Sequence, residues 1–505
     1  MEDFNAQYWD RVYSVNPKNV LAFLKQDASD NDLSTKILTT GKYLNVISDS
    51  NKLVTPMSPT PFVYSDSTAP TAYADLVEAA FAFASKSVLD LMMSEHSLLS
   101  HLACLRRYFL LDAGDFFVTF MDVAERELGN DVGRLSRGRV QSLLNMSIRE
   151  TAGGSADRAG GGREELHANV VCEFSSYSLV AHLDAIHSWG GGVAEDGGGG
   201  ERVALKGIEA IMLGYNASWP LSLVISKKAI TKYQLVFRHL FFSKHVERRL
   251  QQVWLTHQQL KELGNRGVMG ATHTLRQRML HFVQNFVYYI MFEVIRPQWR
   301  VMEEALKKVT TIDQVLEVHN EFLDSTLKET LLTNQDLLKI LTKLMSTCLL
   351  FAEEMKAFND SLELDSKFEN VAVHERLQRL NLDPSDANAP NPDKVKKTNT
   401  PKMQQARYKA RRERLGTLTE EVKRGLVADS YTQMVKRFAA SFDSLLASFM
   451  QKLFADAHSQ YHSHLTNLCT RLDYNGFWSS KSAAEGGAGR ADGYGENFAR
   501  ASLGL

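Results

Sequence analysis

Cysteine, proline and charge imbalance are all scarce in this sequence, and each shortage removes a class of protein. Four cysteines are spread over 505 residues, at Cys104, Cys172, Cys348 and Cys469. No C-x-x-C occurs, so neither a zinc ribbon nor a thioredoxin-like pair has its thiols. Thiols this sparse suit a reducing compartment, where they serve as small buried apolar groups. Lys+Arg 58 against Asp+Glu 59 leave a net charge of -1, which disfavours a globally basic nucleic-acid coat or a globally acidic tail protein. Long apolar runs are missing as well. Phe282 to Ile295 carries Gln284, Asn285 and Glu293 and is too short for a bilayer. Met1 to Asn5 has neither the basic nor the apolar part of a secretory signal, so a soluble intracellular chain is expected.

What remains is ordinary globular material, 44% hydrophobic and 23% charged, enough for roughly three to four average domains. With only 11 prolines to interrupt it, helical periodicity dominates. Leu275, Met279, Phe282, Val283, Phe286, Val287, Ile290 and Val294 form a three-then-four stripe, the repeat of a helix burying one face. Pro297 is expected to end that helix, having no N–H and a ring that crowds the preceding turn. Thr311 with Gln314 reads as a capping box opening the next helix, with Ile312, Val315, Leu316, His319, Phe322, Leu323 and Leu327 on its apolar face. Further stripes begin after Asn334 (Leu337, Leu338, Leu341, Leu344, Met345, Cys348) and at Tyr431 (Met434, Val435, Phe438, Phe442, Leu445, Leu446, Phe449, Leu453). Residues 73–94, 97–128 and 229–255 are helical in pattern too. Ser222–Ser226 is the main strand-like exception. The expected class is all-α: an elongated stack of helical bundles with flexible insertions.

Those insertions are read near 153–163 and 190–201, both glycine-rich, and 383–402, where Pro384, Pro390, Pro392 and Pro401 mix with Asp, Asn and Lys. The tail from 481 to 505 is expected to be disordered.

Chemistry finds little support. Gly41-Lys42 lacks the Ser/Thr of a phosphate loop, since Tyr43 follows, and Lys36 stands where the first glycine belongs. His458, His462 and His464 lack the partners of a zinc site, and no G-x-S-x-G elbow exists. No catalytic, cofactor-binding or metal residues are expected. The basic run Lys394, Lys396, Lys397, Lys402, Arg407, Lys409, Arg411, Arg412 and Arg414 can bind an acidic surface or form a solvated linker. It keeps an alternative open: a nucleic-acid-binding protein or a helical scaffold of another assembly. Phe282, Phe286, Tyr288, Tyr289 and Phe292 spread over more than one helix face, as in a helix surrounded by others.

Several segments resemble the gamma-tubulin complex component family. Thr39 to Ile47 (TGKYLNVI after the first threonine) is similar to the signature closing the family's N-terminal domain. Arg107 to Phe117 (RYFLLDAGDFF) resembles the opening of its C-terminal domain. Trp219 to Ile225 and Tyr233 to Arg248 continue the likeness, and residues 274–299 look most like the component 2 branch. The family's large N-terminal region is mostly missing, so Met1 resembles an internal start.

The resemblance implies that residues 1–96 are the end of a lateral-contact domain and that 97–480 bind gamma-tubulin. It further implies a scaffold that templates microtubule nucleation at centrosomes or spindle poles, with gamma-tubulin and, laterally, component 3 and other family members as partners. Neither membrane nor nucleic acid is an expected partner, no enzyme is implied, and any nucleotide would belong to the tubulin. Because tubulins are acidic, Arg106, Arg107, Tyr108, Asp115, Phe116, Lys227 and Lys228 are the expected gamma-tubulin contacts. Tyr108 and Phe116 have an equally simple use in packing the first bundle.

Overall fold

The computed structural model describes residues 33–49, 71–154, 163–188, 205–261, 266–379, 427–457 and 465–478. The 190–200 glycines, most of 153–162, the 383–402 linker, the 394–414 basic run, His458, His462, His464 and the 481–505 tail lie outside them. Two compact units emerge. The first draws on Met1–Phe242 and Ile290–Gln335, the second on Ser243–Tyr289 and Asp336–Leu505.

In chain order the elements are α1 (Leu33–Asp49), α2 (Thr71–Asp90), α3 (Leu98–Phe109), α4 (Gly114–Leu128), α5 (Arg137–Gly154), α6 (Arg163–Ala168), β1 (Val170–Phe174), α7 (Leu179–Ser188), α8 (Gly207–Ala210) and β2 (Ile211–Tyr215). Then come α9 (Lys227–Lys261), α10 (Arg266–Tyr288), a π-helical turn (Tyr289–Ile295), α11 (Arg296–Leu306), α12 (Ile312–Glu329), α13 (Gln335–Arg379), α14 (Val427–Ala457) and α15 (Leu465–Leu472). The described fold is all-α apart from one two-stranded antiparallel sheet, in register from Val170↔Tyr215 to Phe174↔Ile211.

Helical stripes became cores. In the first unit Phe109 lies 6.1 Å from Tyr233 and 6.4 Å from Phe237, ring centre to ring centre, while Phe117 meets Phe241 at 5.4 Å. Tyr43, Val46 and Ile47 of the TGKYLNVI segment are buried on α1, and the Tyr43 ring packs on Phe81 of α2. Gly41 sits inside that helix, so it forms no phosphate loop. In the second unit Phe282 packs edge-on against Phe442 at 6.4 Å and Phe449 at 5.8 Å. All eight residues of the Leu275–Val294 stripe are buried, as are the four cysteines.

Four expectations need correction. The 97–128 helix is two helices, because Leu111 adopts a left-handed φ of 52° and turns the chain between α3 and α4. Ser222–Ser226 is no strand; Leu221–Leu223 form a 3-10 turn with local i→i+3 bonds, and the strands are β1 and β2 instead. Pro297 does not end the α10 helix. The π-helical turn Tyr289–Ile295 precedes it and α11 follows directly, so wider i→i+5 bonding accommodates the ring that an α-turn would clash with. The Thr311 cap forms, with Thr311 Oγ1 accepting the Gln314 N–H at 3.4 Å, but Gln314 Oε1 accepts from the N–H of Thr310 rather than Thr311.

Strand β1 illustrates how the small sheet is closed. Its free edge is answered by Gln141 of α5, whose Nε2 donates to the Val170 carbonyl at 3.1 Å while its Oε1 accepts the Cys172 N–H. A helix side chain thus satisfies backbone groups that an edge strand would otherwise expose.

Candidate functional site

The segment RRYFLLDAGDFF builds a corner in the first unit. Tyr108 and Phe109 close α3 facing inward, Leu110 and Leu111 stay buried through the turn, and Phe116 and Phe117 open α4 facing inward again. The left-handed Leu111 costs about 1–2 kcal/mol of backbone strain, which its burial can offset. The turn swings Asp112 back towards the helix it follows, and its Oδ2 lies 3.1 Å from Arg106 Nε.

The expected contact residues divide sharply by exposure. Tyr108 and Phe116 are 0% and 1% exposed, with their rings edge to face at 4.9 Å. The Tyr108 hydroxyl lies 3.2 Å from His167 Nδ1, and burial pushes its pKa up to about 12. Both rings therefore meet this chain's own core. Arg107 is half-buried, its Nη2 donating to the Thr151 carbonyl at 3.4 Å. Arg106 lies 5.4 Å above the Trp299 ring. Asp115 is exposed in the first turn of α4, where an anion suits the helix dipole.

Lys227 and Lys228 are exposed in the opening turn of α9. That is the end of a helix where the dipole disfavours cations. The packing of Phe109 on Tyr233 and Phe237 sets the same helix against the corner, about 9 Å of helix rise from Lys227.

One residue that sequence reasoning did not single out joins this corner. Arg296, at the start of α11, places Nε 3.8 Å from Asp112 Oδ1 and its guanidinium 4.3 Å from the Phe292 ring centre. Phe292 is 40% exposed, and Tyr288, under Arg471 in the second unit, is 43% exposed. The aromatic stripe is therefore not enclosed all round, contrary to expectation. No spacing rule links positions 106 and 296; only the fold brings them together.

The buried polar groups nearby are poorly placed for chemistry. His101 Nδ1 and the Tyr215 hydroxyl are 2.6 Å apart beside Cys104, but burial pushes the Cys104 thiol up to about 12, far from a reactive thiolate. Burial likewise pulls His239 and His319 down to about 4, keeping both neutral at pH 7. Among the described residues no group of three or more His, Cys, Asp or Glu could hold a metal ion, and no helix is long and apolar enough to cross a membrane.

Comparison with known proteins gives two family matches along the chain. Residues 98–478 match the family model for the gamma tubulin complex component C-terminal domain, and residues 1–95 match the N-terminal one. Gamma-tubulin complex component 2 of Mus musculus is 35% identical over 491 residues, covering 95% of this chain and 50% of the relative. The component 2 homolog of Drosophila melanogaster is 30% identical over 485 residues, covering 95% and 51%. Spindle pole body component alp4 of Schizosaccharomyces pombe is 30% identical over 429 residues, covering 75% and 53%. The chain spans about half the length of these relatives. A match over both family domains, borne on an α-helical fold, makes this chain a member of the gamma-tubulin complex component family.

Proposed function

We propose that this protein is a structural scaffold subunit that binds gamma-tubulin and helps template microtubule nucleation at centrosomes or spindle poles. The observation that carries the reading is the C-terminal family match across 98–478. Residues 1–95 are then the part that meets neighbouring components such as component 3.

The physics of templating suits a protein without chemistry of its own. The first few tubulins to associate lose translational and rotational freedom while making few contacts. A scaffold that holds several gamma-tubulins in register raises their effective concentration and moves that cost into its own assembly. Rigid helical units with charged outer faces are sufficient for this, and we assign the chain no catalytic residue. Arg106, Arg107, Asp115, Lys227 and Lys228 are the contacts we propose. Tyr108 and Phe116 act by fixing the backbone that carries them.

The test is co-elution of the purified chain with gamma-tubulin in size-exclusion chromatography. A one-to-one complex at micromolar concentration is expected, and separate elution of the two proteins overturns the reading. Deleting 384–414 should leave that complex intact; a deletion that abolishes it would shift the weight to the basic run.

A further inference from the structure

We propose that Arg106 and Arg296 form a two-guanidinium clamp that grips a carboxylate on an acidic protein partner, with Asp112 as the internal spacer between them. The proposal deepens the gamma-tubulin-binding reading and rests on it.

The cluster is built from three separate segments of the first unit. Asp112 offers one oxygen to each arginine, at 3.1 Å to Arg106 Nε and 3.8 Å to Arg296 Nε. Arg300 follows one turn after Arg296 on the same face of α11 and is exposed. Along the same helical run Glu293 lies three residues before Arg296, and Glu303 and Glu304 lie on the turn after Arg300, where Glu303 pairs with Lys307 at 3.9 Å. Asp112 is the carboxylate that faces both arginines, and Arg300 adds a third guanidinium on the α11 side. Among the described residues, no hydrogen bond is formed by the Nη groups of Arg106 or Arg296. Those groups are free to take a second, external acceptor in the side-by-side geometry that guanidinium favours.

Preorganisation separates this cluster from scattered surface charge. Arg106 rests on Trp299, which is itself 5% exposed and held edge-on by Phe322 at 5.5 Å. Arg296 rests on Phe292 at 4.3 Å. Stacking on fixed rings removes much of the side-chain freedom that an ion pair would otherwise have to quench. Phe292 lies in the π-helical turn and Arg296 directly follows it, a distortion found disproportionately at functional sites. The half-exposed Phe292 ring gives a partner an apolar shoulder beside the charges, the Arg-plus-aromatic composition of binding hot spots.

The experiment measures binding of immobilised full chain to gamma-tubulin by biolayer interferometry at low and high salt. Arg296→Glu and Arg106→Glu should each weaken binding about tenfold, and the double variant should fall short of the summed effects because both groups grip one acceptor. The loss should shrink at high salt. Arg296→Gln should lie between wild type and Arg296→Glu. Arg139→Glu, at an exposed ion pair elsewhere in the unit, should stay within about twofold of wild type. Circular dichroism checks that each variant keeps its helical content. Arg296→Glu and Arg296→Gln both binding within about twofold of wild type would overturn the clamp and leave the gamma-tubulin reading standing. Failure of the unaltered chain to bind gamma-tubulin would overturn the reading itself.

Discussion

The two units bury their interiors differently. The core of the second unit is an interlock of rings and leucines, with Phe282 against Phe442 and Phe449, and Phe351 against Phe438 at 5.8 Å. Polar ties run through it too, such as Thr272 to the Tyr431 hydroxyl at 2.8 Å. The first unit threads directional bonds through its rings: Tyr233 to His319 at 3.1 Å, Gln234 to Glu173 at 3.0 Å, His101 to Tyr215 at 2.6 Å. Its Arg238 is 3% exposed and has carbonyls as its main partners, donating to Tyr177 at 2.8 Å and Glu209 at 2.9 Å. Burial pulls that guanidinium down to about 10, so it still carries its proton at pH 7. The first core thus joins ring packing to long-range bonds in which each donor must find its acceptor, while ring interlock is the prominent feature of the second.

Breaking the shape should have the largest effect. Phe286→Ala in the second unit removes a fully buried ring and should cost about 3–5 kcal/mol in urea unfolding. Breaking a directional tie comes next. Arg238→Met keeps the volume but strands the Tyr177 and Glu209 carbonyls, and should cost about 2–3 kcal/mol.

Acid offers a way to sharpen the comparison. His239 and His319, both in the first unit, titrate near 4 when folded rather than near 6.5, because burial penalises the charged ring. Between about 6.5 and 4 the unfolded chain binds protons that the folded chain does not, so stability should be full above about 6.5 and fall as pH drops. Hydrogen exchange corrected for intrinsic rates, compared at pH 7 and pH 5, should show protection lost first around Tyr233 and His319. Equal loss in the second unit would remove the distinction.

The smallest change should go the other way. Gly41 in α1 and Gly270 in α10 sit inside helices with open space where a Cβ would lie. Alanine at either should raise stability by roughly 0.5–1 kcal/mol, equally in both units, because the gain comes from the backbone rather than from the type of core.

Legibility in the sequence followed the same divide. Stripes such as Leu337, Leu338, Leu341, Leu344, Met345 and Cys348 could be read because a helix repeats its buried face every three or four residues, and all six are buried. The β1–β2 pair escaped notice. Each strand is five residues long, and the edge partner of β1, Gln141, lies 29 residues before Val170 on a helix. Among the expected site residues, charge and residue type identified Arg106, Lys227 and Lys228 as candidates. Period alone could not tell that Tyr108 and Phe116 face inward, because the Leu111 turn resets the helical phase between them. Arg296 was invisible for a different reason: its partner Asp112 is remote in sequence, and long-range ion pairs leave no local trace.

The π-helical turn at Tyr289–Ile295 has one more consequence. A helix behaves like a screw, and a widened turn takes up one extra residue before the thread resumes. Within the first unit that extra residue, worth roughly 100° of an α-helix, falls between Ile290 and Arg296. The angle between the Phe292 ring and the Arg296 guanidinium stacked on it is thus set by the number of residues in this stretch. Removing a single residue between them would break that stacking without altering either side chain. Length in this stretch is therefore under tighter constraint than identity.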